Sequence, residues 1–284
     1  MQVFGLVGNP VGHSRSPAMH EAAFAALGLE ARYVTFEPEP TALGRAIDGA
    51  AALGLAGLNV TVPFKRDVLA HVDPDPLAAR IGAVNTVDFA PDGDPTARPR
   101  GHNTDAEGAV RALRERGVPI EGRTAVVVGA GGAGRAIAVG LLEAGASVHV
   151  ANRTVSRAES LAADLGSDAP GDTGSSPHPV QAHGLEALPT LLADADLLIN
   201  ATTVGMDEDA SPVPAEALHA ELAVMDAVYS PLETRLLRDA SAAGARTVDG
   251  GWMLLYQGAA ALEHWLDVAA PVEAMAGALR PALE

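Results

Sequence analysis

The 284-residue chain carries 36 acidic and 19 basic side chains, a formal net charge of −17, with 48% hydrophobic residues and no cysteine. Such a surface repels phosphate and so excludes nucleic acid and anionic membranes as partners. The lack of cysteine excludes disulfides, thiol nucleophiles, and iron–sulfur or cysteine–zinc sites. At molar salt the screening length falls to about 3 Å, so a chain this acidic fits a high-salt cytoplasm, where its self-repulsion fades. The N-terminus opens directly on a strand pattern without a basic stretch, and no run of about 18 apolar residues occurs, which predicts a cytoplasmic protein.

In chain order, apolar strand-like runs alternate with amphipathic helical stretches, the pattern of an α/β fold with a largely parallel sheet. Residues 3–7 read as a strand, 17–27 as a helix, 33–36 as a strand, 41–53 as a helix and 57–60 as a strand. Residues 82–87 read as a further strand, followed by a turn-rich stretch over 91–101 and a helix over 104–117 that Pro119 closes off. A second α/β unit starts with the strand 124–128, continues with strands at 147–151, 197–200 and 223–228, and ends in helices over 252–266 and 272–279. The stretch 166–184, rich in Pro, Gly, Ser and His, reads as a loop.

Gly129-Ala130-Gly131-Gly132-Ala133-Gly134 satisfies G-x-G-x-x-G between an apolar strand and a helical pattern. Glycines there permit a tight turn and close backbone approach, and the helix start offers unpaired N–H groups to a diphosphate. An NAD site would place a carboxylate about 20 residues further on. That place reads Asn152-Arg153-Thr154-Val155-Ser156-Arg157, so two guanidiniums and two hydroxyls suit a 2′-phosphate and NADP.

Lys65 is the one lysine of the chain. Unlike arginine, a desolvated lysine can trade its proton near neutral pH, so Asn59-Val60-Thr61-Val62-Pro63-Phe64-Lys65 is a candidate for proton chemistry, the alternative being a solvated surface residue. Ser16-Pro17 makes an ordinary helix start that explains Ser16 and leaves Ser14 unexplained. Thr104 and Glu107 have capping-box spacing, and Asn85 could be a turn residue at a strand end. The nine histidines form no metal-ligand pattern, and His178 and His183 read as solvated loop residues.

Together, His13-Ser14-Arg15-Ser16-Pro17, Asn59 to Lys65, Gly82-Ala83-Val84-Asn85-Thr86, Asn103-Thr104-Asp105, the glycine loop, Asn152-Arg153-Thr154, Asn200-Ala201-Thr202 and Asp249-Gly250 with Met253 and Tyr256-Gln257 resemble the shikimate dehydrogenases over essentially the full length. The resemblance implies an N-terminal α/β substrate domain with a mostly parallel sheet (1–104), a Rossmann-type NADP-binding domain (105–250) with a cleft between them, and C-terminal helices (251–284) returning to the first domain. It implies reversible NADPH-dependent reduction of 3-dehydroshikimate to shikimate, a step of aromatic biosynthesis, with Lys65 and Asp105 catalytic. It further implies that Ser14 and Ser16 bind the substrate carboxylate, that Thr61, Lys65, Asn85, Asp105 and Gln257 surround the ring hydroxyls, and that Tyr229 lines the pocket. Gly129, Ala130, Gly131, Gly132 and Ala133 would hold the diphosphate. Asn152, Arg153, Thr154 and Arg157 would hold the ribose phosphate, and Gly250 and Ala227 the nicotinamide end.

Two features depart from the family pattern, the milder being Thr202-Thr203 where the family usually has threonine–serine. Many members have an acidic residue near the cofactor between the lysine and G-A-V-N, where this chain has Pro76 with Asp75 beside it, which leaves that contact open. Two rivals remain: a quinate/shikimate dehydrogenase, which often prefers NAD, and a non-catalytic NADP-binding sensor. The partners expected are a small-molecule substrate and, as the assembly to test, a homodimer.

Overall fold

The computed structural model describes residues 1–90, 93, 94, 96–166 and 180–283. Backbone contacts divide the chain into two compact units, Met1–Thr104 with Leu255–Ala282, and Asp105–Leu254. Pro91, Asp92 and Pro95 of the turn-rich stretch, and 167–179 of the polar loop with His178, lie outside the described residues.

The first unit opens with β1 (Gln2–Val7), α1 (Ser16–Ala26), β2 (Ala31–Phe36), α2 (Leu43–Ala52) and β3 (Gly57–Val60). It continues through β4 (Asp73–Pro74), α3 (Pro76–Ile81), β5 (Thr86–Asp88) and β6 (Arg100–His102). These strands form one six-stranded sheet in the order β2-β1-β3-β5-β6-β4. β1 pairs in parallel with both β2 and β3, whereas β5 runs antiparallel to β3 and β6. The core on this sheet gathers Val7, Ile47, Leu58, Phe64, Val68, Val72 and Val87.

Helix α4 (Thr104–Glu115) leads into the second unit, built of β7 (Thr124–Val128), α5 (Gly132–Glu143), β8 (Ser147–Ala151), α6 (Val155–Gly166) and β9 (Gln181–His183). There follow α7 (Leu188–Ala193), β10 (Leu197–Asn200), β11 (Ala223–Asp226), α8 (Arg235–Ala242) and β12 (Arg246–Val248). Its sheet is parallel throughout, in the order β12-β11-β10-β7-β8-β9. Ala125 to Val128 of β7 and Leu197 to Ile199 of β10 are continuous apolar runs because central parallel strands are covered on both faces. Strand order reverses between β7 and β10, so the glycine loop after β7 lies at the switch point where doubly wound sheets bind ligands. Helices α9 (Gly250–Leu266) and α10 (Val272–Leu279) close the chain, and α10 packs on α1 of the first unit.

Three elements differ from the sequence expectation. The run 82–87 is a strand only from Thr86, because Gly82 adopts a left-handed conformation that ends α3. The turn-rich stretch yields to β6 at Arg100, held by pairing with β5 rather than by any pattern of its own. The polar loop yields β9 at 181–183, an edge strand that pairs with β8.

Candidate active site

Lys65 follows Phe64, which is fully buried and anchors the turn after β3 in the core. The Lys65 carbonyl accepts the Val84 N–H at 2.7 Å, and the Phe64 N–H donates to Thr61 O at 2.9 Å, so Thr61 and Lys65 share one tight turn. Both side chains are half-buried. The turn meets the G-A-V-N-T segment, where Asn85 is 2% exposed. Asn85 Oδ1 accepts the Thr104 N–H at 2.7 Å and the Thr104 and Thr86 hydroxyls, each at 3.1 Å. Its carbonyl accepts from Val60 N–H at 2.8 Å and from Asn59 Nδ2 at 3.2 Å.

The network continues outward. Asn59 Nδ2 also donates to Thr86 Oγ1 at 3.0 Å, and its Oδ1 accepts the Tyr33 hydroxyl at 2.7 Å. Tyr33 is hydrogen-bonded to the Ser16 side chain, and burial pushes its phenol well up, so it remains a hydroxyl donor. Asn103 Nδ2 donates to Ala83 O at 3.0 Å. Every polar member is buried and has partners, as a low-dielectric interior requires.

Helix α1 begins differently from the simple cap. Ser14 Oγ accepts the Ser16 N–H at 3.2 Å and Arg15 occupies the N-cap, while Pro17 stands in the first turn. Ser14 thus shapes the turn, and the Ser16 hydroxyl points into the Tyr33 network. At the start of α4 the Thr104 N–H and hydroxyl both donate to Asn85 Oδ1. Within the first unit, the structure therefore joins Ser16 and Asn85 through Tyr33 and Asn59, with Lys65 and Thr61 on the adjoining turn. Gln257 lies half-buried on α9. Asp105 is 7% exposed in the first turn of α4, where the second unit begins.

In the second unit the glycine loop lies between β7 and α5, with Gly131 as N-cap. A Cβ at Gly134 would collide with the Gly129 carbonyl, which lets α5 approach the strand closely. Gly131 and Gly132 have open space on the side where a Cβ would project, and both are exposed beside Ala130 and Ala133. The loop is tied to the next strand end, since Ala130 N–H donates to Asn152 Oδ1 at 3.3 Å and Asn152 Nδ2 to Thr154 O at 2.9 Å. Arg153, Thr154 and Arg157 are exposed after β8, and neither guanidinium pairs with another described residue. This donor set fits a dinucleotide diphosphate and a 2′-phosphate.

At the far strand ends, the Ala227 N–H donates to Asn200 O at 2.8 Å. A Cβ on Gly250 would come within 2.7 Å of the Ala227 carbonyl, so these two predicted cofactor residues meet. Tyr229 follows, half-buried. The turn carrying Ala227 and Tyr229 is fixed by Asp226, which accepts from Asn200 Nδ2 at 2.9 Å, Val228 N–H at 3.0 Å and Thr234 Oγ1 at 2.7 Å. Burial raises the Asp226 carboxyl, and these three donors work against that rise.

Sequence reasoning gave no role to Tyr33, Asn59 or Thr86. The last two stand inside motifs and could have been flagged, whereas Tyr33 occupies an ordinary inward position of a strand. His183 is no solvated loop residue: it ends β9 half-buried, with Nε2 3.0 Å from His149 Nδ1. Burial, then the charge of His183, lowers the His149 imidazole.

Family models for the shikimate dehydrogenase substrate binding domain, shikimate / quinate 5-dehydrogenase and the shikimate 5′-dehydrogenase C-terminal domain match residues 6–87, 112–206 and 250–280. Shikimate dehydrogenase (NADP(+)) of Halorubrum lacusprofundi is 61% identical over 289 residues, covering 100% of each chain. The protein of that name from Haloarcula marismortui is 61% identical over 280 residues, covering 99% of each. A crystal structure of shikimate 5-dehydrogenase from Thermus thermophilus in complex with NADP(H) and shikimate is 42% identical, covers 100% of both chains and has a TM-score of 0.87. Quinate dehydrogenase from Corynebacterium glutamicum in complex with NAD is 32% identical over 99% of each chain, with a TM-score of 0.88. With three family models in order and such full-length relatives, the chain belongs to the shikimate dehydrogenase family.

Proposed function

We propose that this chain catalyses the reversible NADPH-dependent reduction of 3-dehydroshikimate to shikimate. The observation that carries the reading is that the chain holds both a lysine on a core-anchored turn beside a fully hydrogen-bonded polar network and, in its other unit, a glycine loop tied to the Asn152–Arg157 segment. When bound, NADPH would supply the hydride that reduces the substrate's ketone carbon. Negative charge then develops on the ketone oxygen, where the Lys65 ammonium stabilises it and donates the proton. Asp105 orients that ammonium and accepts from a ring hydroxyl.

Ser14 and Ser16 bind the substrate carboxylate, while Thr61, Asn85 and Gln257 meet ring hydroxyls and Tyr229 lines the pocket. Gly129 to Ala133 hold the diphosphate, with Gly131, Gly132 and Ala133 offering backbone N–H groups, and Asn152, Arg153, Thr154 and Arg157 hold the ribose phosphate. Ala227 and Gly250 face the nicotinamide. A pocket built of hydroxyl partners rejects the wrong ring, because each buried polar group left unpaired costs about 1–3 kcal/mol.

The site supports NADP over NAD through Arg153 and Arg157, which separates it from the NAD-using quinate reading. Cytoplasmic location and a homodimer complete the proposal. Among the described residues no helix is long and apolar enough to cross a membrane. Exposed Val34 and Phe36 on β2, the outer strand of its sheet, offer an apolar edge to a second copy.

Initial rates in molar KCl with shikimate and quinate, each with NADP and NAD, test the reading. Turnover with shikimate and NADP is expected. Preference for quinate with NAD would move the chain to the rival activity, and no turnover by folded protein would make it a sensor.

A further inference from the structure

A cavity of about 390 Å³ in the first unit lies outside the residues assigned to substrate, lined by Asp73, Pro74, Asp75, Pro76, Arg100, His102 and His264. Asp75 is committed on both oxygens. Oδ1 accepts the Ala78 N–H at 2.7 Å and caps α3, and Oδ2 lies 2.7 Å from His102 Nδ1. A carboxylate at that distance fixes a proton on Nδ1 and the orientation of the ring. His102, 8% exposed, stacks on His264 with centroids 4.1 Å apart and planes at 15°.

This stack joins two segments that carry proposed substrate contacts. The His102 carbonyl accepts the Asn85 N–H at 3.0 Å, and the residues after it, Asn103 and Thr104, bond Ala83 O and Asn85 Oδ1. On the other side, His264 stands seven residues after Gln257 on α9, two turns along the same helix face. Ring stacking therefore sets the position of the Gln257 face against the end of β6 that supports Asn85.

We propose that His102 and His264, backed by Asp75, are positioning residues that hold Asn85 and Gln257 in place for the substrate ring, and that a proton on His264 loosens the hold. The inference rests on the reading of Asn85 and Gln257 as substrate contacts. His264 faces His102 and Asp75 across the stack, Asp73 and Arg100 across the cavity, and Glu263 on its own helix. Its imidazole is lowered first by burial and then by the charge of His102, with Asp75 and Glu263 opposing. Burial raises the Asp75 carboxyl, but the bonds from His102 and the Ala78 N–H and the charges of both histidines leave it below the usual range. With His264 lowered, the neutral ring is the form in the stack at and above the ordinary histidine value, and a proton on His264 against the His102 face opposes it. His264 is itself exposed on α9, so its ring meets water directly while its face stays on His102.

The test is the pH dependence of KM for shikimate and of kcat, between pH 7 and pH 5 at saturating NADP in molar KCl. His264→Phe keeps an aromatic ring and removes the proton. Wild-type KM is expected to rise several-fold on going to pH 5, His264→Phe to stay flat over that range, and the two kcat profiles to run parallel. His264→Ala is expected to raise KM about tenfold at pH 7, the size of one lost buried hydrogen bond, with a smaller change in kcat. Identical KM profiles for wild type and His264→Phe would overturn the positioning role. Gln257→Ala separates this from the underlying reading: an unchanged KM there removes Gln257 from the site, whatever His264 does.

Discussion

In the unit formed by 1–104 and 255–282, the proposed ring contacts are side chains held by other side chains. Asn85 accepts three hydrogen bonds on one oxygen, and Asn59 bridges Tyr33 to Thr86. In 105–254 the proposed diphosphate contacts are backbone N–H groups, and the only requirement on their side chains is smallness. A site of the first kind selects by donor and acceptor pattern and fails when any one partner is removed. A site of the second kind is indifferent to side-chain chemistry and fails when a Cβ is added where backbones approach closely, as at Gly134.

The largest expected effect breaks the backbone half of that contrast. Gly134→Ala pushes a methyl into the Gly129 carbonyl, so the loop and α5 must separate. NADP binding, read by fluorescence titration, is expected to weaken by at least about 100-fold, as loss of two charge-assisted contacts would give. Retained affinity would mean that the close approach at Gly134 is dispensable. Next in size, Asn85→Ala removes the acceptor of the Thr104 N–H in a buried setting. Urea unfolding in molar KCl should register a loss of about 1–3 kcal/mol, the range for one stranded buried donor. A neutral result would mean that the network is not what holds the segment.

The smallest effect concerns acid. His20 is fully buried, stacked on Tyr33 with centroids 4.4 Å apart, and neither ring nitrogen finds a hydrogen-bond partner among the described residues. Burial lowers its imidazole from 6.5 to about 3. Because the folded value lies below the unfolded one, the unfolded chain takes up the proton first. The contribution is whole above pH 6.5 and falls by about 1.4 kcal/mol per pH unit from there toward pH 3. Between pH 7 and pH 5 the wild type should therefore lose about 2 kcal/mol more than His20→Phe. Equal losses would show that His20 does not titrate with unfolding.

The two halves also differed in how far the sequence revealed them. The glycine loop and Asn152–Arg157 follow from local geometry, since a tight turn and a phosphate need the same residues wherever they occur. Lys65 stood out because it is the sole lysine, and its neighbours gained meaning only through the family resemblance. Tyr33 could not be found that way: its role depends on β2 lying beside β1, a pairing that the residues of β2 do not encode. The same holds for β6 and β9, short strands that exist because a neighbour supplies their partners. The Asp75–His102 pair joins residues 27 apart that no motif connects. Non-local contacts between polar side chains were the part left unread, because periodicity records which face is buried and carries no trace of which buried polar group meets which.

Proton donation by Lys65 is read in the kcat of Lys65→Arg. Arginine keeps the positive charge and holds its proton at any working pH. With shikimate and NADP saturating in molar KCl, and folding verified by circular dichroism, kcat should fall at least about 100-fold, the lower end of general acid–base contributions. An unchanged kcat would mean that Lys65 donates no proton, because charge alone at that position would then be sufficient.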